Sequence, residues 1–181
     1  MPAERTIVPM NLLGRLFRSP PDPREALRPL WHRVVEISRQ PEWYAQCGVA
    51  DTVAGRFDMI TAVLALVLLR LERDGACARE SALLTELFVE DMDGQLRESG
   101  IGDIVVGKHI GKLMAALGGR LGAYRAALAD AGEAGLETAV ARNVTLLKGH
   151  GPEALARRLR AFAGQLGELP TAALLDGAIP R

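Results

Sequence analysis

The sequence predicts an all-α fold, a compact bundle of about six to eight helices around a central apolar helix at residues 53–73. Three observations favour this class. Apolar residues recur at helical spacing along most of the chain, and no stretch of four or more residues shows clean apolar–polar alternation. Ala, Leu, Arg and Glu, which are common in helices, are abundant. Residues 57–71 are apolar on nearly all sides of a helix, which is typical of a helix surrounded by others.

Prolines divide the N-terminal part of the chain. Because the prolines at positions 20, 21 and 23 prevent a helix from crossing them, residues 1–23 are expected to form a flexible tail ahead of a single helical domain at 24–181. A first helix is predicted over 24–39, and Pro41 opens a short helical turn that Gly48 closes. The tail carries a basic amphipathic patch, which consists of Leu12, Leu13, Arg15, Leu16, Phe17 and Arg18.

The middle of the chain reads as a central helix followed by a helical hairpin. Asp51 and Thr52 are predicted to cap the central helix at 53–73. Helices over 81–98 and 104–129 follow, joined by a tight linker, and residues 104–106 are also the best strand candidate. Three shorter helices are predicted over 133–147, 152–166 and 171–175.

The hairpin carries separated charges and a strip of glycines. Residues 81–98 hold five acids against Arg97, whereas residues 104–125 hold four cations and no acid. These charges either hold the two helices together or form an exposed docking face. The glycines, at 107, 111, 118 and 122, lie beside an apolar stripe. We expect this strip to seat the central helix, and the alternative is a groove for a partner's helix.

Asp91 and Asp93 receive different predictions. Asp91 falls within the apolar face of its helix, so it is predicted to be a buried structural acid paired with Arg56, Arg120 or Lys108. The side chain of Asp93 is rotated about 200° around the helix from that of Asp91, so Asp93 is predicted to be accessible to solvent. The two carboxylates therefore cannot share one metal ion.

Composition and motifs argue against several functions. A net charge of zero disfavours a nucleic-acid binder. Two cysteines and three separated histidines predict no metal site, and no catalytic or cofactor-binding residues are identified. Residues 102–108 fit the G-x-x-x-x-G-K pattern, but His109 replaces the hydroxyl residue and no strand precedes, so nucleotide binding is not expected. The longest apolar run, 59–69, is too short to span a membrane, which predicts a cytoplasmic protein.

Several ordered blocks make residues 30–128 resemble the ubiquinol–cytochrome c chaperone family, with further similarity in the helices that follow. The residues that carry the resemblance are Arg39, Pro41, Tyr44, Gly48, Val49, Asp51, Thr52, Gly55, Arg56, Phe57, Arg70, Leu71, Asp91, Met92, Asp93, Leu96, Arg97, Glu98, Gly100, Gly102, Asp103, Val106, Gly107, Lys108, Gly119, Arg120, Tyr124, Ala127 and Leu128. The chain departs from the family pattern at 61–63, where a His is common, and at 117–118, where two aromatic residues are common.

The resemblance implies an all-helical, non-enzymatic assembly factor for the cytochrome bc1 complex. Its expected client is newly made cytochrome b or another bc1 subunit, with a second assembly factor as a further partner, at the cytoplasmic face of the inner membrane. The alternative is a peripheral membrane adaptor that uses the tail to reach lipid. The candidate partner-binding residues are Asp93, Arg97, Lys108, Gly111, Lys112, Gly118, Arg120 and Tyr124.

Overall fold

The computed structural model describes residues 22–98 and 103–180, without the side chains of 96–98 and 103–109. The described residues form an all-α bundle, as predicted, and their β pairing is limited to one isolated bridge between Val49 and Leu146. The elements are a 3₁₀ helix (Pro23–Leu27), α1 (Arg28–Ser38), α2 (Pro41–Ala45), α3 (Val53–Glu72), α4 (Ala78–Glu98), α5 (Asp103–Ala129), α6 (Ala134–Asn143), α7 (Glu153–Glu168) and α8 (Thr171–Leu175).

The central helix α3 is surrounded by neighbours. It packs against α1, α4, α5 and α7, and every residue from Asp58 to Leu68 is buried. This burial on all sides accounts for the lack of a polar face in the sequence. Thr52 caps the helix as predicted, because its Oγ1 accepts a hydrogen bond of 3.2 Å from the backbone N–H of Gly55.

The structure differs most from the predicted helix ends at two places, while α4 also begins three residues earlier than predicted, at Ala78, and α7 ends two residues later, at Glu168. The helix predicted over 24–39 is a 3₁₀ turn followed by α1, with Pro29 in the first turn of α1, where a missing N–H costs nothing. The helix predicted over 133–147 stops at Asn143, and Val144 is extended. Ala50 then donates to the carbonyl of Thr145 at 2.9 Å, and Leu147 donates to that of Gly48 at 2.8 Å. These loop contacts explain the early end of α6.

Residues 104–106, the best strand candidate in the sequence, lie within α5. Two glycines are required by the fold near the loop contacts. Gly48 has φ +73°, and a Cβ there would overlap the ring of His150. Gly55 lies so close to the carbonyl of Ala50 that a Cβ could not fit between them.

The two ends of the described chain are fastened to the bundle. At the start, Nη1 of Arg24 donates to Oε2 of Glu90 on α4 at 3.0 Å, and a hydrogen bond from the same guanidinium lowers the pKa of Asp22 to about 2. At the end, Arg70 on α3 donates to the carbonyls of Leu166 and Leu169, at 3.0 and 2.8 Å. Arg33 donates to the carbonyl of Ile179 at 2.6 Å. The C-terminal segment is therefore part of the bundle.

Candidate functional site

An open groove lies between α4 and α5, with the end of α3 at its floor. Its volume is about 710 Å³. We call it the α4–α5 groove. Met114, on the α5 side, is 43% exposed, which is unusual for a large apolar side chain. The apolar residues that line the groove are Leu68, Ala82, Val89, Ile110, Met114 and Leu121.

The rim of the groove is mainly acidic. Four carboxylates line it, from Glu72, Glu86, Glu90 and Asp93, together with the guanidinium of Arg24. Glu72 pairs with Arg125 at 2.8 Å, and Glu90 pairs with Arg24 at 3.0 Å, but both carboxylates stay nearly half exposed. Glu86 is exposed as well. The groove thus combines an apolar floor with a negatively charged edge.

Three glycines of the strip lie on a side of α5 that no other described residue covers. Gly111, Gly118 and Gly122 are exposed, and a Cβ on any of them would meet no described atom within 4 Å. The expectation that the strip seats the central helix is therefore wrong for these three residues. Instead, α5 faces the core with larger side chains such as Leu117 and Tyr124.

The structure brings some of the predicted partner-binding residues to this surface. Gly111, Lys112 and Gly118 are exposed on α5. Asp93 lies on the groove wall and is only partly exposed, with one carboxylate oxygen screened from solvent, so it is less accessible than predicted. The side chains of Arg97 and Lys108, and the tail residues Leu12, Leu13, Arg15, Leu16, Phe17 and Arg18, lie outside the described part.

Two of the predicted partner-binding residues belong to the core. Tyr124 is completely buried, and burial raises the pKa of its hydroxyl to about 12. Arg120 is only 7% exposed. Neither side chain is available to a partner in this structure, which corrects the prediction for both.

Arg120 pairs with a buried acid that the sequence analysis did not single out. Its Nη2 donates to Oδ1 of Asp58 at 2.5 Å and to the carbonyl of Asn143 at 2.6 Å. The other oxygen of Asp58 accepts hydrogen bonds from the backbone N–H and the hydroxyl of Thr145, at 2.9 and 2.7 Å. The ring of Phe57 lies 5.8 Å from the guanidinium. This network joins α3, α5 and the loop after α6.

The prediction that Asp91 is the buried acid is therefore wrong. Asp91 is partly exposed beside a wider surface cavity of about 1390 Å³ between α1, α2 and α4. Arg56, one of its expected partners, instead pairs with Asp51 at 2.6 Å. A sequence signal for Asp58 did exist, because it is an acid within an otherwise apolar, enclosed helix. Such a carboxylate needs a partner.

Other kinds of site find little support in the described residues. No group of three or more His, Cys, Asp or Glu side chains there could hold a metal ion. Cys47 and Cys77 are buried and unbridged, and burial raises the pKa of both thiols. No described helix has the length and apolarity needed to cross a bilayer.

Comparisons with known proteins place the chain near one family. The family model described as ubiquinol-cytochrome C chaperone matches residues 45–180. The crystal structure of the Cbp3 homolog from Brucella abortus is similar, with a TM-score of 0.74 and 32% sequence identity. The match covers 86% of this chain and 87% of that one. A comparison with curated proteins found no match.

Proposed function

This chain belongs to the ubiquinol–cytochrome C chaperone family, and on that premise we propose that it holds newly made cytochrome b in the α4–α5 groove during assembly of the cytochrome bc1 complex. In this role the chain binds its client and does not change it chemically, so the proposed function is non-enzymatic. The location is the cytoplasmic face of the inner membrane, where the client enters the bilayer. A second assembly factor is proposed as a further partner.

The observation that carries this proposal is the pairing of an apolar floor with an acidic rim. Segments of a membrane protein that await insertion expose apolar side chains, and their cytoplasmic ends are rich in Lys and Arg. Val89, Met114 and Leu121 offer apolar contact area to such a segment. Glu86 and Glu90 offer charge partners for its cations. The groove therefore matches both halves of the client's chemistry.

The exposed glycines of α5 support the same proposal. Without side chains at Gly111 and Gly118, the backbone of a second helix can approach α5 closely. Lys112 lies next to this bare surface and is exposed, so it is placed to contact a polar group on the client. A broad contact of this kind suits a chaperone, because it depends on shape and polarity more than on one side chain.

The proposal is tested by recovering cytochrome b on the tagged chain from membranes lysed in mild detergent. Glu86→Lys should lower the recovered cytochrome b about fivefold, since it places a cation against the cations of the client. Lys112→Glu should lower it to a similar extent, since it removes the ammonium group that is proposed to contact a polar group on the client. Melting temperatures should stay the same because both side chains are exposed. Glu168→Lys and Lys148→Glu are matched controls on exposed residues outside the groove, and they should bind as the unchanged chain does.

Two outcomes would contradict the proposal. If no cytochrome b is recovered with the unchanged chain, the client is wrong. If the groove variants and controls recover it equally, the client binds elsewhere. Binding to anionic vesicles that is lost on removal of residues 1–18, without cytochrome b capture, would instead support the peripheral membrane adaptor.

A further inference from the structure

The described chain begins at the edge of the α4–α5 groove. Arg24 lines the groove, and its Nη1 lies 3.0 Å from Oε2 of Glu90 on α4. Asp22 is held to the same guanidinium by a bond of 2.6 Å between its Oδ2 and Nη2. The first described residue therefore lies at this edge of the groove.

We propose that residues 10–18 of the same chain occupy the α4–α5 groove when no client is bound. The chain's own N-terminal segment then covers the apolar floor, and a client has to displace it. This contact is internal to the chain, so it goes beyond the proposed client and does not depend on cytochrome b being that client.

The lengths of the segment and the groove agree. Groove residues run from Ser81 to Asp93 along α4, a distance of about 18 Å at the rise of an α-helix. Residues 10–18 would extend about 14 Å as a helix. The Ser-Pro-Pro connector at 19–21 spans about 9 Å in an extended proline conformation, which prevents the helix from running on into the 3₁₀ turn.

The chemistry of the segment complements the groove. Leu12, Leu13, Leu16 and Phe17 fall near one side of a helix, with Arg15 and Arg18 beside them. The apolar side would meet the floor, and the two guanidinium groups would meet the acidic rim. The same combination of apolar and basic groups describes the proposed client segment, so the tail is suited to compete for that site.

The acidic rim also disfavours two other occupants of the groove, a second copy of the chain and a lipid surface. A second copy of the chain would bring the same acidic rim into the interface, and like charges facing each other are unfavourable. An anionic lipid surface would be repelled by the rim for the same reason. The segment has the opposite charge and is already attached.

Because the segment is part of the same chain, even a weak contact with the groove is enough to occupy it. A short tether holds its segment at an effective concentration of about a millimolar. A segment that binds with a dissociation constant near that value would fill about half of the grooves, and a client of higher affinity would readily displace it. The arrangement keeps an exposed apolar surface covered without blocking its use.

Photo-crosslinking within the purified full-length chain tests the proposal. The chain carries Phe17→p-benzoylphenylalanine, and the crosslinked peptides are mapped. We expect crosslinks to residues 81–93 and 110–121, which line the groove. Glu86→Lys should lower their yield about fivefold, and Glu168→Lys, the matched control outside the groove, should leave it unchanged.

A second measurement uses a labelled peptide of residues 10–18 and the chain that lacks residues 1–18. The peptide should bind with a dissociation constant of about a millimolar, and Arg15→Glu with Arg18→Glu should weaken it at least tenfold. Crosslinks only outside the groove, or only between two chains, would overturn the proposal. So would a peptide that binds phosphatidylglycerol vesicles but not the shortened chain.

These results are independent of the client experiment. If cytochrome b capture fails while the groove crosslinks form, the proposed function fails and the tail contact stands. If both stand, removal of residues 1–18 should increase capture of cytochrome b, because the competing segment is gone. Capture that falls on this removal would show that the segment helps the client to bind, and would overturn competition.

Discussion

At the scale of single residues, Asp58 and Arg120 determine how three parts of the chain meet. Asp58 lies on the central helix, Arg120 on α5, and the groups that complete their hydrogen bonds, Thr145 and the carbonyl of Asn143, follow α6. Both charged side chains are nearly fully buried, so each depends on the other for its charge to be tolerated. The pair fixes the positions of these elements more certainly than it adds stability.

Removal of either partner should be costly. Asp58→Ala leaves the Arg120 guanidinium buried without its carboxylate, and we expect the free energy of unfolding to fall by about 3 to 5 kcal/mol. Urea denaturation followed by circular dichroism measures this change. Asp91→Ala is the matched control, because Asp91 is partly exposed, and it should cost less than about 1 kcal/mol. A larger loss for Asp91 than for Asp58 would reverse the assignment of the buried acid.

Asp74 should contribute to the acid dependence of stability. The hydrogen bond from the Thr171 hydroxyl and the contact with Arg70 hold the pKa of Asp74 below its ordinary value of 3.8. A lowered folded-state pKa means that the carboxylate stabilises the fold above pH 3.8 and that this contribution is lost as the pH falls through the folded value.

We therefore expect Asp74→Asn to flatten the pH dependence of the unfolding free energy below pH 3.8. Denaturant titrations at several acidic pH values provide the measurement. Thr171→Val removes the hydroxyl but keeps Arg70, so it should flatten the profile only in part. An acid profile that neither substitution alters would contradict this account of Asp74.

At the scale of elements, α5 has two unlike sides. One side buries Leu117, Arg120 and Tyr124 against the rest of the bundle. The other side exposes Gly111, Gly118 and Gly122. Glycine inside a helix costs about 1 kcal/mol relative to alanine, so the exposed glycines weaken the helix without serving the packing of the described core. This cost is consistent with the proposed role of the face in client contact.

Gly118→Ala should therefore stabilise the isolated chain. The added Cβ meets no described atom within 4 Å, and we expect the free energy of unfolding to rise by about 0.5 to 1 kcal/mol. Thermal and urea denaturation both report this gain. Gly55→Ala is the contrasting control, since its Cβ would collide with the carbonyl of Ala50, and it should destabilise the chain. A lower melting temperature for Gly118→Ala would mean that this side of α5 is covered.

At the scale of the whole molecule, the C-terminal segment packs against α1 and completes the bundle. Leu174 and Ile179 are buried in the common core. Gly177 has φ +74°, and a Cβ added to it would lie only 2.9 Å from the carbonyl oxygen of Pro29. Both the backbone conformation and this close approach therefore favour glycine at the position. The helices α1 and α8 are also in direct contact.

Removal of residues 170–181 should destabilise the entire bundle. The deletion exposes the surface that Leu174 and Ile179 cover, and each buried side chain of this size contributes about 1.5 to 3 kcal/mol. We expect one cooperative transition in circular dichroism, at a lower urea concentration than for the full chain. A chain that ends at Ile179 keeps both side chains and should unfold as the full chain does. Equal stability of the two shortened chains would show that the segment is not part of the folding unit.

Local features of the sequence predicted most of the helices. The bounds of α3, α5 and α8 agree with prediction to within one residue, because caps, prolines and apolar spacing act over a few neighbouring residues. The end of α6 was predicted four residues too late, because it depends on a loop contact with Gly48 and Ala50, far away in the chain. The acids and apolar residues that the hairpin contributes to the groove were likewise visible in the sequence, but Arg24, Leu68 and Glu72 join the groove from other elements, which only the structure shows.

The sequence by itself determined the helical class, the central position of α3 and the candidate hairpin. Each follows from the way apolar and charged side chains recur at the spacing of a helix. Only the tertiary structure decided that Asp58, not Asp91, partners Arg120, and that Tyr124 is buried while Gly111 and Gly118 are exposed. The physical reason is that spacing shows which residues share a face of one helix, whereas burial and pairing depend on the other helices that cover that face.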